Sequence, residues 1–168
     1  MRQTTVLKRG FGLVEIVVAT GVISISLFSL ITAAIFAFRS VDQSFFKARA
    51  EFLAREGVEA VRVLRDTSWS LHIDPLLSGT AYYIDFASSD NTWSIGTTNP
   101  GIIDGIFTRT IVFEDVYRRD SDYDIVPISS SDPKTLDLGT KKVTAQISWL
   151  DGDAHMEIST YITNLFQN

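Results

Sequence analysis

An apolar run from Phe11 to Phe38, FGLVEIVVATGVISISLFSLITAAIFAF, constrains this chain more than any other feature, and it carries a single charge, Glu15. A helix over that run would be roughly 42 Å long, more than the ~30 Å of a bilayer core. The ten residues before it, MRQTTVLKRG, are short, polar and basic through Arg2, Lys8 and Arg9. A positive flank on that side predicts a cytoplasmic amino terminus, with everything after Arg39 on the far side of the membrane. One such run implies one insertion.

Three readings of this segment compete. A secretory signal peptide has an apolar run of about 7–15 residues closed by a small-residue cleavage site. This run is longer and has no such closure before Arg39. A plain single-pass anchor accounts for length and flanks but leaves Glu15 unexplained, since a charge in the bilayer costs on the order of 2–3 kcal/mol unless paired. The third reading accounts for both. Lys8-Arg9-Gly10-Phe11-Gly12-Leu13-Val14-Glu15 resembles the prepilin-type cleavage and methylation motif of type IV pilins and type II secretion pseudopilins.

The resemblance covers residues 8 to about 38. It implies cleavage after Gly10 by a prepilin peptidase, methylation of the new amino terminus at Phe11, and a filament-register role for Glu15. It also implies an α+β, pilin-like lollipop: a long N-terminal helix, about 11–65, packed on an antiparallel β-sheet. The implied partners are other pilins or pseudopilins through the N-terminal helix, an inner-membrane assembly platform, and membrane lipid before assembly, with no nucleic acid required. Pilus and secretion pseudopilus share this anchor, so both remain open, as does a minor or major role. Two features depart from the pattern: Gly12 stands where a threonine is common, and no proline lies between Ser29 and Ala34. A helix without that proline lacks the usual seed of a kink.

The physics of the motif is consistent with it. A buried carboxylate and a buried ammonium are each costly alone but offset one another as a pair. Glu15 of one subunit facing the Phe11 amine of a neighbour would fix axial register, while apolar faces supply affinity. Glu15 pairing with its own amine is the intramolecular alternative. Gly21, Ser24 and Ser26 offer small residues for close helix packing, or are ordinary membrane-helix composition.

Beyond the run, helical periodicity continues to about Arg65. Val41, Phe45, Ala48 and Phe52, followed by Leu53, Ala60, Val61 and Leu64, form an apolar stripe, and Gly57 suits the close approach of a strand. The division expected is 1–10 leader, 11–38 membrane and filament-core helix, and 39–168 periplasmic or extracellular globular domain. In that domain Asp66 to Thr80 reads as a loop, Tyr82 to Ala87 as a strand and Ser88 to Asn99 as a polar loop around Trp93. Ile106 to Tyr117 reads as a long strand and Asp120 to Pro133 as a turn-rich loop. Lys141 to Leu150 alternates as a strand, with Val143, Ala145, Ile147 and Trp149 on one face. Asp151-Gly152-Asp153 reads as a hairpin turn and His155 to Thr163 as the last strand. The closing hairpin, Lys141 to Leu165, resembles that of minor pilins.

The net charge is −5, and loss of residues 1–10 removes three positive side chains and no acidic ones, leaving −8. An acidic body argues against nucleic-acid binding. There is no cysteine, hence no disulfide framework. No phosphate loop, G-x-S-x-G or H-E-x-x-H occurs, and His72 and His155 lie far apart, so no enzyme chemistry is expected. Asp120, Asp122 and Asp124 alternate like the start of a calcium loop, but Ile125 and Ser131 replace its glycine and glutamate. A solvated acidic turn is the plainer reading; no cofactor is expected, calcium being the one candidate. Trp69 and Trp93, taken as exposed in loops, are candidate contacts for a surface, DNA or an exported substrate, the adhesive or substrate-binding alternative.

Overall fold

The computed structural model describes residues 12–166. Gly10 and Phe11 lie outside the described residues. One helix, α1, runs without interruption over Leu13–Thr67. Gly12 opens it: its carbonyl accepts the Glu15 amide at 2.9 Å and the Ile16 amide at 3.3 Å. Hydroxyls along the helix turn back on their own backbone. Thr20, Ser24, Ser26, Ser29 and Thr32 each bond the carbonyl four residues earlier, at 2.8–2.9 Å. The chain falls into two compact units that divide between Phe45 and Phe46.

In the second unit, residues 46–67 of α1 pack on a six-stranded antiparallel sheet, an α+β arrangement. The strands are β1 (Ala81–Ala87), β2 (Thr92–Gly96), β3 (Thr108–Arg119), β4 (Ile125–Val126), β5 (Lys134–Trp149) and β6 (Ala154–Thr163). Their spatial order is β2-β1-β3-β5-β6, with β4 also on β3. Each inward row alternates with an outward one, as in an antiparallel sheet with a single packed face. Ile111 and Phe113 of β3 and Val143, Ala145 and Ile147 of β5 are fully buried. Against them α1 sets Ala50, Leu53, Ala54, Val58, Val61 and Leu64. Gly57 lies where helix and sheet come closest: a Cβ there would meet Arg109 Cδ at 3.1 Å and Ile111 Cδ1 at 3.2 Å. The expected close approach of a strand is present.

The register of β3 against β5 shifts between Asp115 and Val116, so that Asp115 faces Lys141 and Val116 faces Asp137. Asp137 anchors that irregularity. Its carboxylate accepts Arg118 Nε at 2.6 Å and the Gly139 amide at 3.0 Å.

Several sequence expectations need correction. Thr92–Gly96, expected within a loop, is a strand, because Phe86 and Trp93 pair across β1 and β2 with ring centroids 5.0 Å apart. The loop from Asp66 contains a short helix, α2 (Trp69–His72), capped by the Ser68 hydroxyl. Its Trp69 is only 4% exposed and belongs to the core, not to a surface. β5 begins seven residues earlier than expected, at Lys134, extending the ladder with β3, and the expected turn-rich loop Asp120 to Pro133 contains β4, paired with β3. The turn at Asp151 is built instead as a 3₁₀ turn over Leu150–Gly152. Along α1 the first part of the expected stripe, Val41, Phe45, Ala48 and Phe52, is exposed, whereas its second part, Leu53, Ala60, Val61 and Leu64, docks on the sheet together with Ala50 and Ala54.

Candidate functional sites

Every residue from 12 to 45 is exposed in this chain. Among them Leu13, Val17, Ile25, Phe28, Ile31 and Phe36 are large apolar side chains, each 59–80% exposed. By length and composition this helix suffices to cross a membrane. The backbone-bonded hydroxyls add to that property, since a hydroxyl that donates to its own helix presents no unsatisfied donor to an apolar medium.

Glu15 sits in the first turn of α1, where a carboxylate is favoured by the helix dipole. No hydrogen bond or ion pair joins its side chain to another described residue. The two residues expected at the processing site, Gly10 and Phe11, fall outside the described residues.

The three alternating aspartates are engaged one by one. Asp120 accepts the Thr135 hydroxyl at 2.8 Å, and Asp122 accepts Arg119 Nη1 at 2.7 Å. Arg119 also reaches Asp132 through Nε at 3.0 Å. The Asp124 amide, acting with Arg119 against partial desolvation, holds the Asp122 carboxyl below its ordinary value. Asp124 gives its backbone carbonyl to the Arg119 amide at 2.9 Å. Among the described residues no three His, Asp or Glu side chains are grouped to share a metal ion. His72 is half-buried with Nδ1 3.2 Å from the Ser68 carbonyl, and His155 is exposed on the outer face of β6.

A second site was missed at the sequence level. Phe107, just before β3, and Arg109, Ile111 and Phe113 within it alternate with outward residues, and all four face inward. Arg109 is therefore a cation in an apolar row, 8% exposed. Its Nη1 donates to the Leu53 carbonyl at 3.2 Å and to Glu56 Oε2 at 2.9 Å. Its guanidinium lies over the Trp93 ring, 5.9 Å from the centroid. Nε is buried with no acceptor among the described residues. These residues border a cleft of about 310 Å³, which Asp85, Phe86, Pro100 and Ile103 also line. The signal was present in IFTRTIVF: strict alternation puts Arg109 on the same face as Ile111.

Comparison with known proteins adds no relative: no family model, curated protein or solved structure matches the chain.

Proposed function

We propose that this chain is a structural subunit of a type IV pilin-like filament, a minor pilin or a secretion pseudopilin. It is made as a membrane-inserted precursor, cut after Gly10, methylated on Phe11 and assembled through α1. The observation that carries this reading is residues 12–45: a continuous helix whose every side chain is exposed, with Glu15 the one charge before Arg39. Such a surface calls for lipid or other apolar helices around it. Lipid alone serves the apolar side chains but not Glu15, whereas a neighbouring subunit's amino terminus serves both. The motif residues Lys8 to Glu15 supply the processing chemistry by resemblance. Before assembly the chain resides in the cytoplasmic membrane with its body outside; afterwards it belongs to a periplasmic or extracellular filament.

Intact mass and amino-terminal sequencing, after expression with an active prepilin peptidase, test the reading. The expected chain begins at Phe11 and carries one added methyl group. A chain still beginning at Met1, beside a control pilin that is cut, would reduce the protein to a single-pass anchored domain. In a processed chain, Glu15→Gln is expected to block entry into filaments without affecting cleavage.

A further inference from the structure

Nearly every described basic side chain in this protein holds a carboxylate. On α1, Arg49, Arg55, Arg62 and Arg65 do so at 2.6–2.7 Å. The arginines of β3, with Lys141 and Lys142 of β5, do so at 2.6–3.0 Å. Lys134 donates instead to the Ile128 and Ser130 carbonyls. Arg39 and Lys47 are the exceptions. Both are exposed, and neither side chain bonds another described residue. Even Asp42, three residues from Arg39 and at the spacing of a helical ion pair, is left unused.

Arg39 is also the first charge after the apolar run. With Glu15 kept at one edge of the bilayer core, the roughly twenty residues from Ile16 to Ile35 span its ~30 Å. Arg39 then falls about 6 Å past the other edge, inside a headgroup layer roughly 5–7 Å deep. Helical side chains tilt toward the amino terminus, which here is toward the membrane, so the guanidinium reaches back to phosphate depth. Lys47, about 12 Å farther along α1, lies beyond that layer and meets the surface only through a field that decays over ~8 Å.

We propose that Arg39 seats the phosphate of an anionic phospholipid and so fixes the depth of the inserted chain, an inference that rests on the membrane-inserted state given above. A guanidinium matches a phosphate with two parallel N–H groups. A zwitterionic headgroup brings its own cation to that phosphate, whereas an anionic one leaves it uncompensated, and this selects the anionic lipid. The chain as a whole acts in the opposite direction, since a net charge of −5 is repelled by an anionic surface. A preference for anionic lipid beside this end of the run must therefore come from local cations. Arg39 is the one at phosphate depth, and it has no partner among the described residues to give up.

The chain has no cysteine, so Ser40→Cys places a single bimane label on the full-length protein. The labelled chain is reconstituted in vesicles of phosphatidylglycerol and phosphatidylcholine, one or the other brominated. Quenching then reads the lipid beside residue 40, and not the lipid beside Arg2, Lys8 and Arg9 at the opposite leaflet. Phosphatidylglycerol is expected to be favoured about fivefold, the scale of one basic residue at an anionic surface. Arg39→Gln is expected to bring that ratio near one, and Arg39→Lys to keep most of it. Lys47→Gln is expected to lower it by less than about twofold. No preference in a chain that floats with the vesicles overturns the headgroup proposal and leaves the membrane reading standing. A chain that does not float with neutral vesicles overturns both. A preference that survives Arg39→Gln, or that appears only in Asp42→Asn, overturns the assignment to Arg39. One that inorganic phosphate abolishes at constant ionic strength makes the ligand a free phosphate. One that vanishes as protein density rises makes it a neighbouring copy's carboxylate, and either result overturns the lipid.

Discussion

Residues 12–45 and 46–67 belong to one uninterrupted helix, yet they meet their surroundings in opposite ways. The second segment buries Ala50, Leu53, Ala54, Val58, Val61 and Leu64 against the sheet. The first buries nothing within this chain. Their compositions follow. The docked segment needs only a stripe and fills the remainder with Lys47, Glu51, Arg55, Glu59 and Arg62, some paired at helical spacing. The earlier segment is apolar all round, as a helix must be when its whole circumference faces lipid or other helices. The two helix glycines divide the same way. Gly57 has three side-chain atoms within 3.6 Å of a would-be Cβ, whereas Gly21 has nothing within 4 Å. Secondary structure is thus shared, and the partner of each surface is what distinguishes them.

Truncation is the strongest way to break this comparison. A chain beginning at Phe46 is expected to stay in solution without detergent and to unfold cooperatively, while the full chain partitions quantitatively into membranes. An aggregated or unfolded fragment would mean that the two segments depend on each other. Next in size is a pair of neighbours on the docked segment. Leu53 is 2% exposed and Phe52 62%. Leu53→Ala is expected to destabilise by about 2–5 kcal/mol, and Phe52→Ala by no more than about 0.5 kcal/mol, measured by urea unfolding in mild detergent. Equal losses would place both faces of the helix in contact with something.

The glycines sharpen the comparison further. Gly57→Val is expected to cost about 1–3 kcal/mol through overpacking, while Gly57→Ala stays near neutral because gained helix propensity offsets the 3.1 Å contact. Gly21→Val should leave the unfolding of the sheet domain unchanged. The smallest effect concerns acid. Asp137 is partly buried, which by itself would raise its pKa, but Arg118, Thr140 and the Gly139 amide together hold it below the ordinary carboxylate value. Its stabilisation is present above the unfolded-state value and is lost as pH falls through the lower folded-state value, below about pH 4. Asp137→Asn should therefore lower stability near neutrality and flatten the further loss in that acid window.

Much of the fold was legible from residue order. The helix ends within two residues of the expected limits, and the rows of β3, β5 and β6 follow the alternation of their side chains. Thr92–Gly96 was hidden because its alternation, Trp93 and Ile95 among Thr92, Ser94 and Gly96, spans only five residues inside a polar stretch, and it becomes a strand through the Phe86–Trp93 contact across the ladder. Trp69 was misplaced for a similar reason: a turn-rich neighbourhood says nothing about which way its one aromatic points. Gly10, Phe11 and Glu15 stood out through chemistry and spacing, whereas Arg109 did not, since an arginine in a strand is ordinarily a solvated outward residue.

The sequence by itself determined length, period and polarity: an apolar helix with one early charge, a polar continuation, and alternating strands joined by turns. These are properties of neighbouring residues and add along the chain. Tertiary structure decided which part of the apolar stripe on α1 docks, that Trp69 is core, and that Arg109 lies buried beside α1. Each of those outcomes depends on shape and on donors and acceptors brought together from distant residues, which no local pattern encodes.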